Sequence, residues 1–345
     1  MSVCAALLAT GFHHRVADHA ASGALRDLLE HHGLSYAPEP LSEGAVFGLS
    51  GALHLRVRIA AAAVPAIDLD GRAASLEIEL CRHLGLKAEW FASDDSRAGW
   101  ELLHAELDAG YPTLVRADIG ALDYRDGRRH DTRHAVVVTC YDAEAGVVWV
   151  ADQCFPEPQR CTLNALAAAR RSDGWPRPAR HALLLLRPPK RLADPRDAVA
   201  AALARTVRSM RNTSGFEHPH EHSGLAAIDA VEAAWPRLPS MSGSMLGQTL
   251  AALRFRIHDG GTDGALYRSL QARFLHDAAA LLGSPQLGRA ALCCDDLADA
   301  WRGLAQALCD DDPYVAHSLA ESWVRHVRQL EHCHVEALEA HLDTH

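Results

Sequence analysis

Apolar side chains recur every three or four positions at Ala21, Ala24, Leu25, Leu28 and Leu29, and Gly33 stops the run. This periodicity predicts a helix between Asp18 and Gly33. In the segment L-S-E-G-A-V-F-G-L-S-G (41–51), Ser42 can cap a short helix, and three glycines imply turns or close backbone packing. Leu53 to Ile59 alternates apolar and polar residues, as a half-buried strand does. Residues 72–84 read as a helix stopped by Gly85, and 86–92 read as a strand. Ser93 and Asp94 can cap a helix that ends at Gly110. Short apolar runs predict strands at 112–118, His134–Tyr141 and Val147–Ala151, the last two joined by the turn D-A-E-A-G. Thr162 caps a helix to about Arg171, and H-A-L-L-L-L (181–186) closes the sheet. The opening M-S-V-C-A-A-L-L-A-T-G reads as a first strand or short helix.

After residue 190 the pattern is helical almost throughout, with helices expected at 195–211, 223–235, 243–258, 263–282, 286–308 and 313–342. The join carries Pro188, Pro189 and Pro195, which favour a stiff extended linker over a continued strand. The expectation is an α+β domain over residues 1–190 and an all-α helical bundle over 191–345. A length of 345 residues suits two domains.

Composition narrows the function classes. No run of about 18 apolar residues occurs, so no membrane-spanning helix is expected. No basic residue precedes the apolar N-terminal run, which makes it a poor secretion signal. The net charge of −10 argues against nucleic acid as the main partner. Nine cysteines, an odd number with no C-x-x-C pair, fit reduced thiols in a cytoplasmic protein better than a disulfide framework or a zinc ribbon.

The hairpin carries the chemistry. His134 opens one strand and Asp152 follows the end of its partner, and in an antiparallel hairpin those two ends are neighbours. A carboxylate beside an imidazole fixes its tautomer and stabilises the imidazolium. Such a pair serves a nucleophile, and the first turn of a helix is where a thiolate is favoured. In the 18–33 helix that position is Ala20. Taken singly, a histidine among 22 and an aspartate at a strand end are more often structural. Asp142 is a competing partner for His134, but its surroundings read as turn chemistry.

H-A-A-S-G-A-L-R-D-L-L-E-H-H-G (19–33), S-E-G-A-V-F-G-L-S-G-A-L-H-L (42–55) and H-A-V-V-V-T-C-Y-D followed by V-W-V-A-D together resemble the butirosin-biosynthesis protein H N-terminal family. I-H-D-G-G-T-D-G-A-L-Y-R-S-L-Q-A-R-F-L (257–275) resembles the helical domain that commonly follows it. The resemblance implies a papain-like fold and transfer of an acyl group from an acyl-carrier-protein thioester to an amine, in antibiotic or other secondary-metabolite biosynthesis, without a cofactor. It places the cysteine nucleophile at position 20, the general base at His134 and the orienting carboxylate at Asp152. It gives His19 a supporting role at the oxyanion site. The partners it implies are a carrier protein or other thioester donor and a small-molecule or peptide amine, with a homodimer as a further expectation. Ala20 departs from the pattern. With His134 and Asp152 both kept, it reads as an engineered replacement of cysteine rather than decay. A cysteine peptidase or amidase of the same fold and an inactive binding subunit are the alternatives.

Other signals rank lower. Gly260, Gly261, Thr262 and Gly264 precede an expected helix at 263, where a phosphopantetheine arm could bind. Arg170 to Arg180 is a candidate carrier-docking patch, although a solvated loop is the plainer reading. E-H-P-H-E-H (217–222) reads as a polar connector rather than a metal site, and no metal is expected. The histidines after residue 325, His334 and His341 among them, read as a solvated helix face. Cys293 and Cys294 read as core filler, and Cys140 as a structural residue.

Overall fold

A computed structural model describes residues 11–127, 130–174, 176–212, 220–260 and 262–343. The N-terminal strand or helix expected over 1–10 lies outside these residues, as do Gly261 and the first half of the E-H-P-H-E-H segment. In chain order the elements are α1 (Ala20–His31), α2 (Glu43–Leu49), β1 (Leu53–Ile59), β2 (Ile67–Arg72), α3 (Leu76–Leu84), β3 (Lys87–Phe91), α4 (Ser96–Asp108), β4 (Thr113–Ala117), β5 (His134–Asp142), β6 (Val147–Ala151), β7 (Gln159–Thr162), α5 (Leu163–Arg171) and β8 (Leu183–Arg187). There follow α6 (Pro195–Arg211), β9 (Glu221–Ser223), α7 (Leu225–Ala234), α8 (Gly243–Arg254), α9 (Arg268–Leu282), α10 (Pro285–Ala307) and α11 (Pro313–Leu342). The class is α+β with antiparallel sheets.

Side-chain oxygens set several helix starts by accepting orphan backbone N–H groups. Asp95, rather than Ser93 or Asp94, caps α4, and Thr162 caps α5. Asp194, Ser284 and Asp312 cap α6, α10 and α11, each with proline at the first helical position.

The chain divides into two compact units. The first comprises Met1–Glu43 and Leu84–Leu192. Its six-stranded sheet runs β3-β8-β4-β5-β6-β7. The 181–186 run therefore lies inside the sheet, between β3 and β4. Val136, Val138, Val148, Val150 and Leu183 of the sheet share a core with Leu103 and Leu107 of α4 and Leu166 of α5. Helix α1 packs on β5.

The second unit comprises Gly44–His83 and Ala193–His345. A single cut at residue 190 is thus corrected: the segment 44–83 belongs with the helical half. The reason is a shared core, in which Leu55, Val57, Ile67 and Leu69 pack with Leu250, Leu297 and Trp301. A small sheet, β2-β1-β9, completes the unit, with Arg56 opposite Ser223 and Arg58 opposite Glu221. The second half is therefore not purely helical. In the same unit Arg268 and Glu331 form a fully buried ion pair at 2.8 Å, and Trp301 Nε1 donates to the same Glu331 oxygen at 2.8 Å.

Candidate functional site

The β5–β6 hairpin builds the site through a register shift. Asp142 pairs with Val147 and Cys140 with Trp149, but Val138 pairs with Val150. Thr139 is the extra residue of a bulge. Continued one residue past β6, the register sets Asp152 opposite Val136, on the same face as His134. Without the bulge Asp152 would lie opposite Val137 and point to the other face, because side chains alternate along a strand. His134 Nε2 lies 3.0 Å from Asp152 Oδ1. Asp152 is fully buried and His134 is 8% exposed. The neighbours predicted from the hairpin do meet. The competitor Asp142 accepts from Ala145 N in the turn.

Two residues that sequence reasoning missed complete the cluster. Arg125 donates from Nε to Asp152 Oδ2 at 2.9 Å and from Nη2 to Oδ1 at 2.6 Å. Tyr124 Oη donates to Oδ2 at 2.9 Å. Burial opposes ionisation of Asp152, but the charge and hydrogen bond of His134 and the Arg125 guanidinium outweigh it and hold the carboxyl well below its usual range. Burial, then the Asp152 charge, pushes the Tyr124 phenol up, so it remains a donor. Both residues come from the polar loop after β4, whose sequence has no periodicity to mark it.

The start of α1 lies close by along the chain. Ala17 N donates to Gln153 O at 3.0 Å, one residue after Asp152 and three before Ala20. Ala20 is the first residue of α1, and His19 is its N-cap. The His19 ring caps the helix, with Ser22 N donating to Nδ1 at 3.3 Å. This gives the ring a structural task that the expected oxyanion role did not include. Glu43 accepts from Asp18 N at 3.0 Å, His19 N at 2.8 Å and Ser22 Oγ at 3.0 Å. Burial raises the Glu43 carboxyl against these hydrogen bonds.

A buried histidine ties the N-terminal segment down. His14 Nδ1 is 2.6 Å from Asp27 Oδ2, and its Nε2 faces the carbonyls of Asp152 at 3.2 Å and Phe155 at 2.9 Å. Burial lowers the His14 pKa, but the Asp27 hydrogen bond and charge and the two carbonyls raise it further, so the net shift is upward.

Several expected features lie elsewhere. Helix α9 starts at Arg268, not 263, so Gly260, Thr262 and Gly264 are not its first turn. Thr262 is buried and its hydroxyl donates to Ile257 O at 2.6 Å. Asp263, Leu266 and Tyr267 all have positive φ, which breaks the helix the periodicity predicts. Arg170 is buried and donates to Gly99 O and His181 O, and Arg180 pairs with Asp94, which leaves the proposed docking patch without two of its cations. His334 and His341 face the core of α11 rather than solvent. Cys140 is disulfide-bonded, contrary to the all-thiol expectation, whereas seven other described cysteines are free. Among the described residues no helix is long and apolar enough to cross a membrane.

The first unit is thus an α+β scaffold that holds a buried histidine–aspartate pair at one end of a bulged hairpin. Residues 19–153 match the model of the butirosin biosynthesis protein H, N-terminal, family. Residues 164–338 match a domain of unknown function, DUF4872. No curated protein matches the chain.

Proposed function

We propose that this chain is an acyl- or aminoacyltransferase of natural-product biosynthesis on a papain-like fold, moving an acyl group from a carrier-protein thioester to an amine. The observation that carries the reading is the buried His134–Asp152 pair at 3.0 Å, brought to one face of the hairpin by the Thr139 bulge. The family description, which names butirosin biosynthesis, supports the setting. Nε2 of His134 is directed at Asp152, so Nδ1 is the nitrogen that takes a proton from the attacking amine. Asp152 stays ionised under Arg125 and Tyr124 and fixes that tautomer. Amide formation from a thioester runs downhill and needs no cofactor.

Ala20 cannot attack a thioester, and it favours a second reading: a binding subunit that holds a carrier protein or peptide without chemistry. The test incubates the chain, and Ala20→Cys, with an acyl-pantetheine thioester and a simple amine, and follows amide by mass spectrometry. Amide formation that His134→Ala lowers by about 100-fold or more is expected. Absence of amide from both forms selects the binding subunit, and cleavage of a peptide instead selects a peptidase.

A further inference from the structure

The His14 ring meets acceptors on both sides. Nδ1 is 2.6 Å from Asp27 Oδ2, and Nε2 faces the carbonyl oxygens of Asp152 at 3.2 Å and Phe155 at 2.9 Å. A carbonyl oxygen cannot donate, so Nε2 carries a proton. Asp27 Oδ1 accepts from Arg26 Nε at 2.9 Å and from Nη2 at 2.8 Å, as a carboxylate does, so the proton between Nδ1 and Oδ2 belongs to the ring. Flipping the ring exchanges the nitrogens and leaves acceptors on both sides. The side chains of His14 and Asp27 are 4% and 1% exposed, so water does not supply the missing donor. A neutral imidazole in either tautomer would set a lone pair against an oxygen.

This ring stands at a joint of the first unit. On one side α1 grips residues 14–16: Asp27 binds the ring, and Arg26 donates from Nη2 to Arg15 O at 2.6 Å and from Nη1 to Val16 O at 3.4 Å. On the other side the same segment reaches the turn after β6, through the two His14 Nε2 contacts and the bond from Ala17 N to Gln153 O at 3.0 Å. Phe155 N closes that turn by donating to Asp152 O at 2.9 Å. Asp152 begins the turn and carries the carboxylate that faces His134, and Ala20 follows Ala17 by three residues. The other charged groups nearby are engaged. Arg15 pairs with Glu30 at 2.6 Å, and the Asp152 carboxylate accepts from Arg125, Tyr124 and His134.

Resting on the acyl-transfer reading above, we propose that His14 is a positioning residue of the candidate site: as a buried imidazolium it fastens the Asp152 turn to the segment that leads into α1, and loss of its proton unfastens them. Burial by itself favours the neutral ring, but the Asp27 hydrogen bond and charge and the two carbonyls outweigh it. A histidine held above its ordinary value keeps such bonds at lower pH and loses them as pH rises through the folded value. His14 therefore sets an alkaline limit on the site. Amines are better nucleophiles at higher pH, so the chemistry alone gives the opposite trend.

Ring-nitrogen NMR of the full-length chain, with His14 assigned by its loss in His14→Gln, should show both nitrogens protonated at pH 7, above the ordinary histidine value of about 6.5. One bare nitrogen at that pH overturns the proposal. Exchange of the Ala17 and Phe155 amides, corrected for the intrinsic rate, should accelerate about tenfold or more between pH 6 and pH 8.5, while β3 and β8 of the same unit stay protected. His14→Gln should be fast at every pH. Asp27→Asn should be slow at every pH, because the asparagine amide donates to Nδ1 and leaves the Nε2 proton for the carbonyls. Turn amides that exchange alike in wild type and His14→Gln overturn the proposal, and so does a pH dependence that persists in Asp27→Asn. If His14→Gln also exposes β3 and β8, wild type and Asp27→Asn decide without it. In the Ala20→Cys form, adding His14→Gln should lower kcat for amide formation about tenfold or more with KM little changed. An undiminished kcat overturns the positioning role, while the transferase reading survives. No amide from any form defeats the transferase reading, and the ring and turn measurements then decide whether His14 fastens the turn.

Discussion

Asp152→Asn is the sharpest test of the cluster. Asp152 is fully buried and accepts from Arg125 twice, from Tyr124 and from His134 Nε2. Asparagine keeps the volume, removes the charge and turns a donor amide toward groups that are themselves donors. Breaking a buried pair costs about 3–5 kcal/mol. The Arg125 side chain is 15% exposed, so it recovers some hydration, and a loss of about 3 kcal/mol is expected. Because the chain has two units, a global melt is a poor gauge. Hydrogen exchange over residues 134–152 reads the first unit directly, and 3 kcal/mol corresponds to about 150-fold faster exchange through opening. The folded carboxyl is held below its usual range, so its contribution is full above the unfolded value of about 3.9 and is lost as pH falls toward the folded value. The same exchange measured at pH 7 and pH 3, corrected for the intrinsic rate, should show the gap between wild type and variant narrowing by about 1 kcal/mol at the lower pH. Exchange accelerated less than about fivefold, a cost under ~1 kcal/mol, or a gap that does not change with pH, would refute the assignment of Asp152 as a buried, ionised anchor.

Two further outcomes follow from the packing. The His14 pKa is raised, so its pairing with Asp27 stabilises the fold fully below about 6.5 and is lost as pH rises through the folded value. Exchange of α1 amides, corrected for the intrinsic rate, should therefore accelerate between pH 6 and pH 8.5, and His14→Gln should flatten that trend. A Cβ on Gly48 would lie 1.9 Å from Phe274 Cγ. Gly48→Ala should cost about 1–3 kcal/mol despite its better helix propensity, and adding Phe274→Leu should recover part of it; a neutral single variant in urea denaturation would show that the contact yields.

The meeting of the candidate pair was legible where it coincided with a periodic element. His134 and Asp152 bracket a hairpin whose apolar runs are unmistakable, and chain proximity alone made them neighbours. Arg125 and Tyr124 were not legible, because a polar loop has no period and the groups it delivers are chosen by where it crosses the sheet. Thr139 looks like any strand threonine, yet it is the bulge residue that turns Asp152 to the face of His134.

What the sequence by itself determined is local: the helix of α1 with Ala20 at its first turn, the β5–β6 hairpin, and the capped helices α10 and α11. These rest on contacts within a few residues, which spacing and capping side chains specify. Tertiary structure alone decided that 44–83 joins the helical half and that the Gly260–Gly264 segment is not the first turn of α9. It also decided that Arg170 and His334 are buried, and that the Arg125 guanidinium grips Asp152 beside His134. Each of these depends on burial or pairing between segments distant in the chain, and no local pattern encodes which distant partner a residue meets.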